Sequence, residues 1–147
     1  MRLSTVEALK RGGIPIPKVY IVPKLDAQGR HFREIDTILL NKKTGQTPAV
    51  LGHELGHHFL HHGNAKSAQE LVRTEIEAWI FTYNLRGKPR GLKETFIGII
   101  NEAAEDFRTK PSRTYKLLHE ELVLQKAPKS WLVSLRRIKP MIRKVEG

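Results

Sequence analysis

Hydrophobic residues fall in short extended clusters before residue 47 and at helical spacing after it. Ser4-Thr5-Val6-Glu7 has the reciprocal capping pattern of a helix start, and Gly12-Gly13 supplies the stop. Pro15 and Pro17 then force extended chain. Val19-Tyr20-Ile21-Val22 reads as a strand closed by Pro23, and Asp26-Ala27-Gln28-Gly29 as a turn. A second strand is expected from Glu34 to Leu40, with a turn at Asn41-Lys42-Lys43-Thr44-Gly45. The two strands are expected to form a small sheet edge beside the next helix.

That helix starts at Thr47-Pro48, an N-cap followed by proline in the first turn, and is expected to reach about His62, where Gly63 ends it. Leu51, Leu55 and Phe59 lie on one side of it, and Ala49, Val50 and Leu60 flank the other, so it should be largely buried. Ser67-Ala68-Gln69-Glu70 caps a helix to about Arg86, with Gly87 past its end. Leu92 to Arg108 reads as a third long helix, with Phe96, Ile99, Ile100, Ala103, Ala104 and Phe107 facing a core. Pro111-Ser112 opens a fourth, to about Val123. Ser130 to Lys139 reads as the last helix, stopped by Pro140, with Met141 to Gly147 expected to fray. The pattern predicts an α+β protein, mainly helical, with a small β-sheet near the N-terminus. With 147 residues and no clear linker, one domain over 1–147 is expected. It has three parts: residues 1–46 with a helix and the strands, 47–86 with a helix pair, and 87–147 with the C-terminal helices.

The central helix carries His53-Glu54-Leu55-Gly56-His57, which matches H-E-x-x-H. Residues four apart share a helix face, so His53 and His57 can point at one metal ion. Two imidazoles suit Zn²⁺. Glu54 is turned about 100° from His53, where its carboxylate can act as a base toward a water on the ion. The competing reading is a chance match on a histidine-rich helix.

A catalytic zinc needs a third protein ligand and one open position. Glu75 and Glu77 lie on the next helix, roughly 200° apart, so only one can face the ion. Ala68, Leu71, Val72, Ala78, Trp79 and Thr82 surround Glu75 on the helical wheel, whereas Glu70, Arg73 and Asn84 surround Glu77. A carboxylate in the apolar stripe is costly unless it is paired or bound to metal, which selects Glu75. His61 is eight residues from His53, about 12 Å along a straight helix, too far to share its ion. His58 and His62 are expected to point elsewhere, and His31 and His119, isolated along the chain, to be surface or satisfied histidines.

The chain has 26 Lys+Arg against 15 Asp+Glu, a net charge of +11. Such a surface favours nucleic acid, acidic partners or anionic membranes. The basic residues are spread along the chain, densest from Lys126 to Lys144. No recognition motif accompanies them, so nucleic-acid binding stands as a secondary reading. The absence of cysteine excludes disulfides and thiolate metal sites and fits a reducing compartment. No apolar run approaches the roughly 18–20 residues of a membrane span, and Met1 to Gly13 lacks the apolar stretch of a signal peptide. A soluble, cytoplasmic protein is expected.

Three stretches carry a resemblance: Ile38-Leu39-Leu40-Asn41, then His53-Glu54-Leu55-Gly56-His57-His58-Phe59-Leu60-His61, then Glu75-Ile76-Glu77-Ala78. Together they resemble the ImmA/IrrE family of zinc metallopeptidases. That family has a short strand ending in Asn, a helix reading H-E-L-G-H-x-x-L-H and a following helix reading E-x-E-A-N-x-F-A. The resemblance covers about 45 residues and implies a zincin-like domain, with one Zn²⁺ on His53, His57 and a glutamate matching Glu75, and Glu54 as general base. It implies peptide-bond hydrolysis in a protein substrate, typically a helix-turn-helix transcriptional repressor of a mobile element or stress response. A second oxyanion donor is usual in such enzymes; Tyr83, Tyr115 and His119 are candidates that nothing in the sequence ranks. Where the family has Asn or Asp after Ala this chain has Trp79, and the F-A step is Phe81-Thr82. Trp79 favours an alternative, a metal-binding regulator that does not cleave its target (an antirepressor). A basic DNA-binding protein of a mobile element is a further alternative.

Overall fold

The computed structural model describes residues 17–43, 48–60, 62–86 and 91–146. The helix expected between Ser4 and Gly12, the turn residues Thr44 and Gly45, the Thr47 cap, His61 and the Gly87 stop lie outside the described residues.

The extended clusters form a three-stranded sheet: β1 (Lys18–Val22), β2 (Gly29–Phe32) and β3 (Thr37–Asn41), in the order β1-β3-β2. β1 runs parallel to β3, with Val19 opposite Ile38, and β2 runs antiparallel to it, with His31 opposite Ile38. The central strand is the apolar one, and Thr37, Ile38 and Leu40 are buried. The strand expected from Glu34 starts later. Arg33–Ile35 forms a turn of 3-10 helix, and Asp36 takes φ 52°, a left-handed conformation that Asp tolerates better than most residues. β2 is an addition to the expected pair of strands, because Gly29-Arg30-His31-Phe32 has a single large apolar side chain and carries no alternation signal. Asn41 secures the end of β3. Its backbone N–H donates to Gln28 O at 2.8 Å, its side-chain amide donates to Leu25 O at 3.0 Å, and its side-chain oxygen accepts from Lys43 N–H at 2.9 Å.

Helix α1 (Pro48–Phe59) packs Val50 and Leu55 onto Ile38 and Leu40 of β3, with Val19, Leu51, Phe59 and Phe81 around them. Helix α2 (Ala68–Arg86) begins as its capping pattern predicts: Ser67 Oγ accepts from Glu70 N–H at 3.1 Å. Glu70 reaches back to Lys66 N–H, at 3.4 Å. The two helices touch through small residues. A Cβ on Gly56 would stand 3.0 Å from the Cα and carbonyl oxygen of Ala78, and one on Gly52 would stand 3.1 Å from Thr82 Cγ2. The glycine inside the motif therefore permits a close helix crossing.

The chain forms two compact units. One holds the sheet, α1 and the part of α2 from Ala78; the other holds Asn64–Glu77 and the C-terminal helices. In the second unit α3 (Leu92–Phe107), α4 (Pro111–Leu124), α5 (Lys129–Arg136) and α6 (Lys139–Glu146) share a core. Phe96, Ile99, Ile100 and Ala103 are buried on α3 and Leu117, Leu118 and Leu122 on α4; Trp131, Leu135 and Ile138 are fully buried. Ala104 and Phe107, also expected in the core, are only partly buried. Pro140 does follow the end of α5, but it does not end helical structure. It occupies the first turn of α6, where its missing N–H costs nothing, and α6 buries Ile142. Residues 139–146 are thus a helix rather than the frayed end expected from Met141 onward.

Candidate metal centre

His53 and His57, one turn apart on α1, bring their Nε2 atoms to 3.0 Å of each other. Glu75 on α2 completes a group. Each of the three offers one ligand atom, and these atoms lie within 4.8 Å of one another. Two imidazole nitrogens and one carboxylate oxygen are a donor set that suits a borderline cation such as Zn²⁺. His53 is buried, and His57 and Glu75 are partly buried. A carboxylate converging on two imidazoles out of bulk water compensates the charge of such an ion.

Glu77 is placed differently. Its Oε1 accepts from Arg73 Nη1 at 3.1 Å, on the side of α2 where Arg73 is exposed. Glu54 is buried, only 7% exposed. The start of β2 lies directly against it: a Cβ on Gly29 would come 2.9 Å from Glu54 Cγ, 3.0 Å from Val50 Cγ1 and 3.3 Å from Glu54 Oε1. The edge strand thus limits where the carboxylate can go. Gly29→Ala is expected to retain bound metal but to lower any Glu54-dependent activity by about 10-fold or more, since a displacement near 1 Å is costly for a reacting group. Metal analysis beside a rate measurement checks this.

Trp79 stacks on His53, with ring centroids 4.2 Å apart and planes inclined by 28°. The indole contacts the imidazole through its face, where the resembled family has an amide or carboxylate. Packing, rather than a polar contact from this position, restrains the ring. Trp79→Ala is expected to weaken metal binding by about 10–100-fold, the range for residues that orient a ligand, while Trp79→Phe keeps most of it. A competition titration against a chromophoric chelator measures both.

Three further histidines make contacts that spacing alone does not show. α1 ends at Phe59 rather than His62, and the chain curls back, with Leu60 N–H donating to Gly56 O and His62 N–H to His57 O. His62 is therefore buried, with its Nδ1 2.8 Å from His57 Nδ1. If His57 offers Nε2 to a metal, its Nδ1 carries the proton and donates to His62 Nδ1, so His62 would orient the ligand ring. His31 is a satisfied histidine, with Nε2 3.2 Å from His58 Nδ1, and His58 Nδ1 is 3.3 Å from Asp36 Oδ1. Burial, then the neighbouring His58 and His57, push the His31 pKa down to about 4, so its ring is neutral at pH 7. A sequence signal for the His62 contact would have required foreseeing the early end of α1, and one for the His31 contact would have required foreseeing β2. Of the oxyanion candidates, Tyr115 and His119 line a cavity between α4 and α6, and Tyr83 is a partly buried residue of α2.

Among the described residues, no helix is long and apolar enough to cross a membrane. No curated protein and no solved structure matches the chain. The sequence profile of peptidase family M48 matches residues 33–115, from the turn before β3 into α4 and through all of the residues just described on α1 and α2. With more than half of its length matched, the chain belongs to peptidase family M48, whose members are zincin-like metallopeptidases.

Proposed function

We propose that this metallopeptidase uses Zn²⁺, held by His53, His57 and Glu75, and that its activity is of the ImmA/IrrE kind: cleavage of a regulatory protein, such as a helix-turn-helix repressor, in the cytoplasm. The observation that carries the zinc site is the convergence of one ligand atom from each of the three residues within 4.8 Å. The substrate class rests on the resemblance of the strand ending in Asn41, the His53 helix and the Glu75 helix.

The ion would supply Lewis acidity, lowering the pKa of a bound water toward about 7 and polarising the scissile carbonyl. The chain's own residues do the rest. Glu54, buried next to His53, accepts the proton of the attacking water and passes it to the leaving amine. Trp79 and His62 hold the two histidine rings in orientation. Gly29 keeps β2 close against Glu54 without displacing it.

The test is incubation of the purified chain with repressors encoded near it, with and without chelator, alongside elemental analysis. Chelator-sensitive cleavage and about one zinc per chain support the reading. Zinc with no cleavage of any such repressor transfers the case to the non-cleaving regulator, which the indole at position 79 favours.

A further inference from the structure

The net charge of +11 is not evenly placed. Between Glu121 and Glu146 the chain holds no Asp or Glu, yet it holds Lys126, Lys129, Arg136, Arg137, Lys139, Arg143 and Lys144. All seven are exposed. None of them forms an ion pair with a described carboxylate, whereas Arg30 pairs with Asp26 and Arg73 with Glu77. Among the described residues this positive charge is not consumed in ion pairs. It also lies beyond residue 115, where the match to the peptidase family ends.

Shape adds to charge. Lys116 on α4 and Lys139 and Arg143 on α6 line one cavity of about 390 Å³. Glu120 and Glu146 line it too, but Glu146 is engaged, its Oε1 accepting from Ser112 N–H at 2.7 Å. Three cations thus face a common recess at one edge of the basic segment.

We propose that the α5–α6 segment, with Lys116 of α4, is a docking surface for the phosphate backbone of double-stranded DNA, read without regard to sequence. A duplex presents a negative charge about every 1.7 Å of its axis, and each phosphate neutralised by Lys or Arg releases counterions. Such binding needs exposed, unpaired cations and no base-reading motif, which is what this segment has. An anionic membrane is the less suited partner. The segment's one aromatic residue, Trp131, is fully buried, and its exposed apolar residues, among them Val133, Met141 and Val145, are aliphatic. Interfacial helices add aromatic or leucine-rich faces to their charge.

The experiment is fluorescence anisotropy of a random-sequence duplex of about 20 base pairs, titrated with the full chain at several salt concentrations. The parent should bind, with affinity falling steeply as salt rises. Lys139→Gln, Arg143→Gln and Lys144→Gln combined should weaken binding at least about 10-fold at low salt and flatten the logarithmic salt slope by about 3, near one unit for each phosphate no longer neutralised. Arg136→Gln with Arg137→Gln, an independent variant, should flatten it by about 2. Lys24→Gln, Lys42→Gln and Lys43→Gln combined remove the same charge elsewhere and should leave most of the affinity. Melting curves and metal content identify any variant that has failed to fold, in which case the other basic-segment variant decides. Equal weakening in the Lys24-Lys42-Lys43 variant would assign binding to net charge and overturn the proposal. So would absence of duplex binding by the parent at low salt, or sedimentation with phosphatidylserine vesicles in its place.

Discussion

Glu54→Gln is expected to fold, bind zinc as the parent does and lose peptidase activity by at least about 100-fold, the lower range for removal of a general base. The substitution preserves size and hydrogen-bonding capacity but removes the ability to take a proton. Two features make it informative here. The group that could hold an ion is His53, His57 and Glu75, so on the proposed assignment metal content should not change when Glu54 is replaced. Its side chain is also confined by the close approach of Gly29, so the amide should occupy the space the carboxylate did. The measurement is single-turnover cleavage of the repressor substrate, beside zinc per chain and a melting curve. Equal cleavage by Glu54→Gln and the parent would remove Glu54 from the mechanism. Loss of zinc in the variant would instead make Glu54 a ligand.

What is legible in the sequence and what is hidden divide along the range of the interactions. The juxtaposition of His53 and His57 is local, fixed by a helical spacing of four, and can be read directly. The different surroundings of Glu75 and Glu77 can be read too, because helix periodicity places Arg73 beside Glu77 and apolar residues beside Glu75. β2 is hidden because Gly29-Arg30-His31-Phe32 pairs with β3 through its backbone, and its side chains carry no pattern. His62 is hidden because its approach to His57 depends on where α1 ends and how the chain then curls, a boundary that propensity does not fix. Trp79 stands out as a departure from the motif, yet its stacking on His53 is a packing contact between helices that spacing alone cannot supply. α6 is concealed by Pro140, since a proline that terminates one helix is at the first turn also a starter of the next.

Glu75→Ala should abolish the thermal stabilisation that zinc gives the parent, while Glu77→Ala should keep it. A ligand that binds only the folded chain stabilises it in proportion to the logarithm of its concentration over Kd, about 2.7 kcal/mol at a hundredfold excess. For a chain of this size that raises Tm by roughly 5–10 °C. Glu75 supplies the one carboxylate in the group with His53 and His57. Removing it leaves two neutral imidazoles to hold a dication, and affinity should fall by more than the roughly 10–100-fold that an orienting residue costs. Glu77 is engaged with Arg73, an ion pair with its arginine half exposed, worth at most about 1 kcal/mol, so Glu77→Ala should lower the melting curve slightly with or without zinc. The comparison is therefore between shifts, not between melting temperatures: zinc minus chelator for each variant. A preserved shift in Glu75→Ala together with a lost shift in Glu77→Ala would reverse the assignment of the two faces of α2. His53→Ala and His57→Ala should each behave as Glu75→Ala does, because on the proposed assignment all three would hold one ion.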